Sequence, residues 1–370
     1  MDKRVVFAVA GSGKTTRLIN ELDLHKRVLL LTYTENNCAE IRRRVIRRFG
    51  HVPDNVTVST YFTFLNSFCY RPLLLVDFKT KGISFERPSP YSSRQKTSAL
   101  ARYVNAGGRI YHSRMARALD VMGCMPAVLR RLERYYDMVC VDEVQDFGGH
   151  DFTLLLQIAR ANVQTLFVGD FFQHTYSTST DGNVKQGLHD SYEQFQRELR
   201  SEGLIIDTQT LQRSHRCSAT VCEFIRDHIG VEIHPAQDRQ SRVQVVEDAQ
   251  QAAQIFCQEA MVKLFYQEHY AYPCYGQTWG SSKGQDHYQD VCVVLNSTSW
   301  KNFQDRTLGT KLAAISRNKL YVACSRARGD LYLVPEALFK DYKAKAPRAR
   351  TTSKAPAAPK AVKTSGAKAA

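Results

Sequence analysis

Lys14, Asp142 and Glu143 are the residues whose types and settings most directly permit chemistry. Lys14 is the next-to-last residue of the run Ala8-Val9-Ala10-Gly11-Ser12-Gly13-Lys14-Thr15, which fits the pattern GxxxxGK[ST] except that Ala8 replaces the first glycine. Gly11 and Gly13 let the backbone turn tightly, so that N–H groups from Ala10 to Thr16 can converge on a polyphosphate. Lys14 would reach the β- and γ-phosphates, and the Thr15 hydroxyl would ligate Mg²⁺. The alternative is a glycine-rich strand-to-helix turn without a ligand. Asp142 and Glu143 follow the apolar run Met138-Val139-Cys140-Val141, and an open parallel sheet presents its ligand groups at such strand ends. Asp142 would hold Mg²⁺, directly or through water, and Glu143 would orient and deprotonate the water that attacks a γ-phosphate. An acidic turn after a core strand is the alternative there.

The elements needed to position these groups can be read from the apolar runs. Residues 5–9 predict a buried strand and residues 15–22 a helix. The runs at 27–32, 56–59, 138–141 and 165–168 predict further strands, with helices over 37–49, 60–70 and 152–161 between them. Residues 71–134 break this βα rhythm with Pro72, Pro88, Pro90 and a Gly107-Gly108 pair, and they read as a basic helical insertion. From Leu204-Ile205-Ile206 a second α/β series begins, with helices over 219–229, 249–266 and 312–324 and strands at 243–246, 291–295 and 331–334. The expected division is 1–70 with 135–203 as a first lobe, 71–134 as the insertion, 204–342 as a second lobe and 343–370 as a tail.

The chain has 370 residues, a formal charge of +15 and 43% hydrophobic content, enough for two ordinary cores. Eight basic residues and no acid fall at 343–370, in an Ala-, Pro-, Thr- and Ser-rich composition that predicts disorder. Such a tail suits an electrostatic tether to nucleic acid or a solubilising extension. The ten cysteines form no CxxC and no cluster of ligand spacing, so reduced core thiols are expected. No apolar run approaches a membrane span and no signal-peptide core opens the chain, which predicts a soluble cytoplasmic protein with no membrane contact.

At this point the order of motifs resembles the UvrD/Rep helicases of superfamily 1. The phosphate loop, Leu31-Thr32-Tyr33-Thr34-Glu35-Asn36-Asn37-Cys38-Ala39-Glu40-Ile41, Val58-Ser59-Thr60-Tyr61-Phe62-Thr63-Phe64 and Val141-Asp142-Glu143-Val144-Gln145-Asp146 are similar to that family's first motifs. Val168-Gly169-Asp170-Phe171-Phe172-Gln173-His174-Thr175-Tyr176, Leu211-Gln212-Arg213-Ser214-His215-Arg216, Ser281-Ser282-Lys283-Gly284-Gln285-Asp286 and Leu320-Tyr321-Val322-Ala323-Cys324-Ser325-Arg326-Ala327-Arg328 continue it. The resemblance implies a P-loop NTPase of two RecA-like parallel-sheet lobes in tandem, hydrolysing ATP with Mg²⁺ in the cleft between them. It implies that Gln173 bridges the γ-phosphate and the attacking water, and that Arg216 and Arg326 neutralise the leaving phosphoryl group. His215, Gly284 and Asp286 would contact the nucleotide. Thr32, Tyr33, Thr34, Thr60, Tyr61 and Tyr176 would face single-stranded DNA, with Tyr33 and Tyr176 the best placed by motif; Phe62, Phe64 and Phe68 read as core. The expected function is therefore a DNA-binding ATP hydrolase, a translocase or helicase, with 3′ to 5′ polarity implied by the family alone.

Several departures accompany the likeness. Asp286 stands for a longer ribose-binding glutamate, His215 for a stacking tyrosine and Asn36 for a lysine. Only seven residues precede Ala8, where the family reads adenine. The large second arm has no counterpart between Arg216 and Lys283. Two other readings stay open: an RNA-directed superfamily 1 motor, and a nucleotide-gated switch serving a partner in replication, repair or recombination.

Overall fold

A computed structural model describes residues 2–176 and 181–344. The segment 177–180 and the tail from residue 345 lie outside the described residues. Eight strands come first: β1 (Lys3–Ala8), β2 (Val28–Thr32), β3 (Val56–Thr60), β4 (Gly82–Ser84), β5 (Arg109–Tyr111), β6 (Met138–Val141), β7 (Gln164–Gly169) and β8 (Ile205–Leu211). Six of them form a parallel sheet in the order β3-β2-β6-β7-β1-β8. Its central strands are continuous apolar runs because both faces are covered. Val5, Leu29, Leu31, Val139, Val141 and Phe167 enter one core. Their neighbours Val6, Val28, Leu30, Met138, Cys140, Leu166 and Val168 enter the other.

The second sheet contains β11 (Val243–Val245), β12 (Val262–Phe265), β13 (Gly276–Thr278), β14 (Val291–Leu295) and β15 (Leu331–Pro335); before it a two-stranded pair forms from β9 (Arg213–Ser214) and β10 (His234–Pro235). Its order is β11-β15-β14-β12-β13, again parallel throughout. Val262, Leu264, Val291, Val293, Leu331 and Leu333 bury on one face. Phe265, Cys292, Val294 and Val334 bury on the other. The expected α/β class with two tandem parallel-sheet lobes is what the chain adopts.

Three local expectations are corrected. The run at 204–206 does not open the second sheet: β8 pairs with β1, as an edge strand whose Ile205 is exposed. The helix expected over 249–266 ends at Cys257, and Val262–Phe265 is β12 in the second sheet. Lys263 interrupts that apolar run and disguises it, although the side chain is buried. The block 71–134 is not all helix either. It holds the parallel pair β4 and β5, and Ile110, Met115, Leu119, Val128 and Leu132 bury in the first sheet's core. Arg114, also buried, ties this block to Asp181 at 2.7 Å.

Two helices frame the chemistry. α1 (Lys14–Asn20) starts at Gly13, whose φ is 89°. α2 (Glu35–Phe49) starts where the Thr34 hydroxyl accepts the Asn37 N–H at 3.3 Å, a cap that satisfies one otherwise orphaned donor. It stops at Gly50, in the left-handed conformation.

Candidate nucleotide site between the two sheets

The carboxyl ends of β1, β6 and β7 supply one wall of a cleft of about 1250 Å³, and the second lobe supplies the other. Residues 11–15, Asp142, Glu143 and Gln173 line it from the first lobe, while His215, Arg216, Lys283, Gly284, Asp286 and Arg326 line it from the opposite side. The lobes meet at the glycine-containing loop 11–15 itself. Gly11 has φ 72°, and a Cβ there would lie 2.7 Å from the Arg216 Cβ, so only glycine fits both the turn and the contact. The His215 N–H donates to the Gly11 carbonyl at 2.9 Å.

Within the first lobe the acidic loop is closely tied. The Thr15 hydroxyl donates to Asp142 Oδ2 at 3.2 Å, and Lys14 Nζ lies 3.7 Å from Glu143 Oε1. Glu143 adopts φ 58°, a conformation that costs a non-glycine residue roughly 1–3 kcal/mol and that collects at functional sites. Gln145 links the loop onward: its Nε2 donates to Glu143, and its Oε1 accepts the Asp170 N–H at 2.9 Å. That approach requires Gly169, where a Cβ would sit 2.7 Å from Val144 Cγ1. Gln173 Nε2 in turn donates to Asp170 Oδ2 at 2.8 Å.

The second lobe adds further contacts. Lys283 Nζ donates to both Asp146 oxygens at 2.7 and 2.9 Å and lies 3.7 Å from Glu143. Arg216 bonds Asp286, and Arg326 Nη1 lies 3.4 Å from the same carboxylate. Tyr321 is fully buried; its hydroxyl accepts the Ala10 N–H at 2.8 Å and donates to Asp170 at 3.0 Å. From the first lobe, Tyr176 donates to the same Asp146 carboxylate at 3.1 Å.

Electrostatics separates the paired acids. Burial, and then the adjacent Glu143 charge, pushes Asp142 up to about 7. Glu143 resists the same burial because Lys14 and Lys283 hold it well below the usual carboxylate range. Burial, with Arg216 beside it, lowers Arg326 to about 10, which leaves it charged at neutral pH.

Ser12 Oγ and Arg216 Nε are buried without a hydrogen-bond partner, as groups awaiting an anionic ligand would be. Among the described residues no cluster of three or more His, Cys, Asp or Glu could hold a metal alone. Thr15 Oγ1 and Asp142 Oδ2 are hard oxygen donors that suit Mg²⁺ completed by phosphate and water.

Other expected residues lie elsewhere. Ala10 is buried in the second sheet's core, and its N–H is committed to Tyr321 and unavailable to a phosphate. Thr16 faces solvent and accepts from Arg44 at 3.3 Å. Of the residues expected to face a strand, Thr34 and Tyr176 line the cleft. Thr32 is fully buried and Thr60 is buried as a cap on the Thr63 N–H at 3.2 Å. Tyr61, at 3% exposure, is interior and offers no ring face to a base. The Tyr33 and Tyr61 hydroxyls donate to Asp151 at 3.3 and 3.2 Å, and both rings stand edge-on to Phe147. Lys283 lines the cleft although the sequence reading gives it no role within the motif at 281–286. Asp170 and Tyr321 also sit in motifs given above, at 168–176 and 320–328, without a role of their own there, and its apolar neighbours make Tyr321 read as a core aromatic.

No protein-family model matches the chain, and no curated protein does. Solved structures that resemble it include a complex of arterivirus nonstructural protein 10 (helicase) with DNA, at 16% identity and a TM-score of 0.48, covering 91% of this chain and 62% of that one. A crystal structure of arterivirus nonstructural protein 10 (helicase) follows at 15% identity and 0.48, covering 91% and 61%. The structure of PRRSV helicase gives 15% and 0.44, covering 93% and 54%. The chain thus spans between 54% and 62% of the length of these proteins.

Proposed function

We propose that the chain is an ATP-driven motor on single-stranded nucleic acid, hydrolysing ATP between its two lobes. The observation that carries this reading is the convergence of Arg216 and Arg326 from one lobe with Lys14, Asp142, Glu143 and Gln173 from the other on one cleft. A site assembled from two bodies is completed when they close and released when the product charge separates, which couples chemistry to motion. The phosphate loop and Lys14 bind the triphosphate, and Gln173 orients the water together with Glu143. The two guanidinium groups, freed from Asp286, balance charge on the transferring phosphoryl group. Thr15 and Asp142 would hold Mg²⁺, which would supply charge neutralisation to the triphosphate.

ATP hydrolysis measured with single-stranded DNA, with RNA and without polymer tests the proposal, alongside a tailed-duplex unwinding assay. DNA-stimulated hydrolysis is expected, abolished in Lys14→Ala and in Glu143→Gln, with nucleotide binding retained in the latter. Stimulation by RNA alone selects the RNA-directed motor. Hydrolysis without translocation or unwinding selects the switch. Absence of nucleotide binding in the native chain refutes all three.

A further inference from the structure

An aromatic feature outside the cleft remains unexplained by that function. Phe85 is 67% exposed, yet it is held between two other rings. Its centroid lies 5.5 Å from that of Phe62 and 5.1 Å from that of His112, giving a row of three. The row is built by local structure. β4 and β5 pair in register with Ser84 opposite Tyr111, so Phe85 and His112 leave the ends of adjacent strands side by side. His112 Nδ1 lies 3.3 Å from the Ser84 carbonyl, which fixes its ring. Phe62 stands two residues after Thr60, the residue paired with Thr32 at the carboxyl end of the first sheet, and its other side packs on the core.

We propose that Phe62, Phe85 and His112 form a stacking platform for the bases of a single strand, at the outer end of the edge that carries Thr34 and Tyr176. The proposal rests on the reading of the chain as a single-strand motor and names a further contact for that partner. Charge selects the occupant. Residues 71–134 carry thirteen Lys and Arg against four Asp and Glu. Lys79, Lys81, Arg87 and Arg109 are exposed around the pair β4 and β5, with Asp77 and Glu86 the acids near them. Ring faces beside a cationic ribbon are the combination that binds a strand through stacked bases and a tracked backbone. Every base has a π-face, so the contact is tolerant of sequence.

The test compares the full chain with Phe85→Ala and Phe85→Trp by fluorescence anisotropy, using oligo(dT) and an abasic strand of the same length. The native chain and Phe85→Trp should prefer the base-bearing strand. Phe85→Ala should bind oligo(dT) roughly 10-fold more weakly, the loss expected from one stacked base, and bind the abasic strand as the native chain does. Equal preference for oligo(dT) in the native chain and in Phe85→Ala would overturn the platform while leaving the motor reading intact. A native chain that binds neither strand, and whose ATP hydrolysis oligo(dT) does not stimulate, overturns both. Circular dichroism of the exposed-site variants confirms that the fold is unchanged.

Discussion

Replacing Tyr321 with Phe removes one oxygen atom from the joint between the lobes. That oxygen accepts the Ala10 N–H at 2.8 Å and donates to Asp170 at 3.0 Å. Asp170 keeps the Gln173 side chain at 2.8 Å and the Phe172 N–H at 3.2 Å, so its loss is partial. Ala10 has no such reserve. It is fully buried, and its amide becomes an unpaired donor, which costs about 1–3 kcal/mol. At about 2 kcal/mol, the population of states in which the phosphate loop opens to water rises roughly 30-fold. Hydrogen exchange read on a peptide spanning residues 9–13 should accelerate by that factor, while peptides from β12 and β14 stay as they are. ATP turnover should fall in parallel, because the same hydroxyl places Asp170 and through it Gln173. Unchanged exchange over residues 9–13 together with unchanged turnover would refute the claim that Tyr321 couples the second lobe to the phosphate loop.

Three further outcomes are expected. Gly11→Ala forces a left-handed φ on a residue whose Cβ would lie 2.7 Å from Arg216 Cβ, so ATP hydrolysis should drop to background, and turnover near native levels would contradict it. Asp181→Ala leaves the Arg114 guanidinium buried without its carboxylate, which should destabilise the first lobe by about 3–5 kcal/mol in urea unfolding, and Arg114→Met in the same chain should recover part of the loss. Asp151 is pushed from 3.8 up to about 7 by burial, against the Tyr61 and Tyr33 hydroxyls. Between those values the folded chain keeps a proton that the unfolded chain has released, so this group lowers stability as pH rises through the window. Asp151→Asn removes that penalty, worth at most about 4 kcal/mol, and should raise the urea midpoint at pH 8 more than at pH 5; equal effects at both would show that Asp151 does not titrate there.

The two sheets were legible wherever a strand is buried on both faces, because β2, β6 and β14 are unbroken apolar runs that no amphipathic helix would carry. β12 was not, since a lysine stem buried along apolar neighbours looks polar in sequence. The partner of β8 is hidden for a different reason: a parallel edge strand is joined to its neighbour by hydrogen bonds that leave no trace in side-chain order. The cleft shows the same division. Residues 11–15 and the pair Asp142 and Glu143 each lie in one short run after a strand, and spacing alone marks them as residues at strand ends lining the cleft. Tyr33 and Tyr61 occupy motif positions, yet the structure turns their hydroxyls onto Asp151, a carboxylate far along the chain. Spacing identifies a strand end, but whether a ring at that end faces solvent depends on what packs behind it. Phe85, an exposed ring at this edge, comes instead from the block 71–134, which reads in sequence as a basic helical insertion.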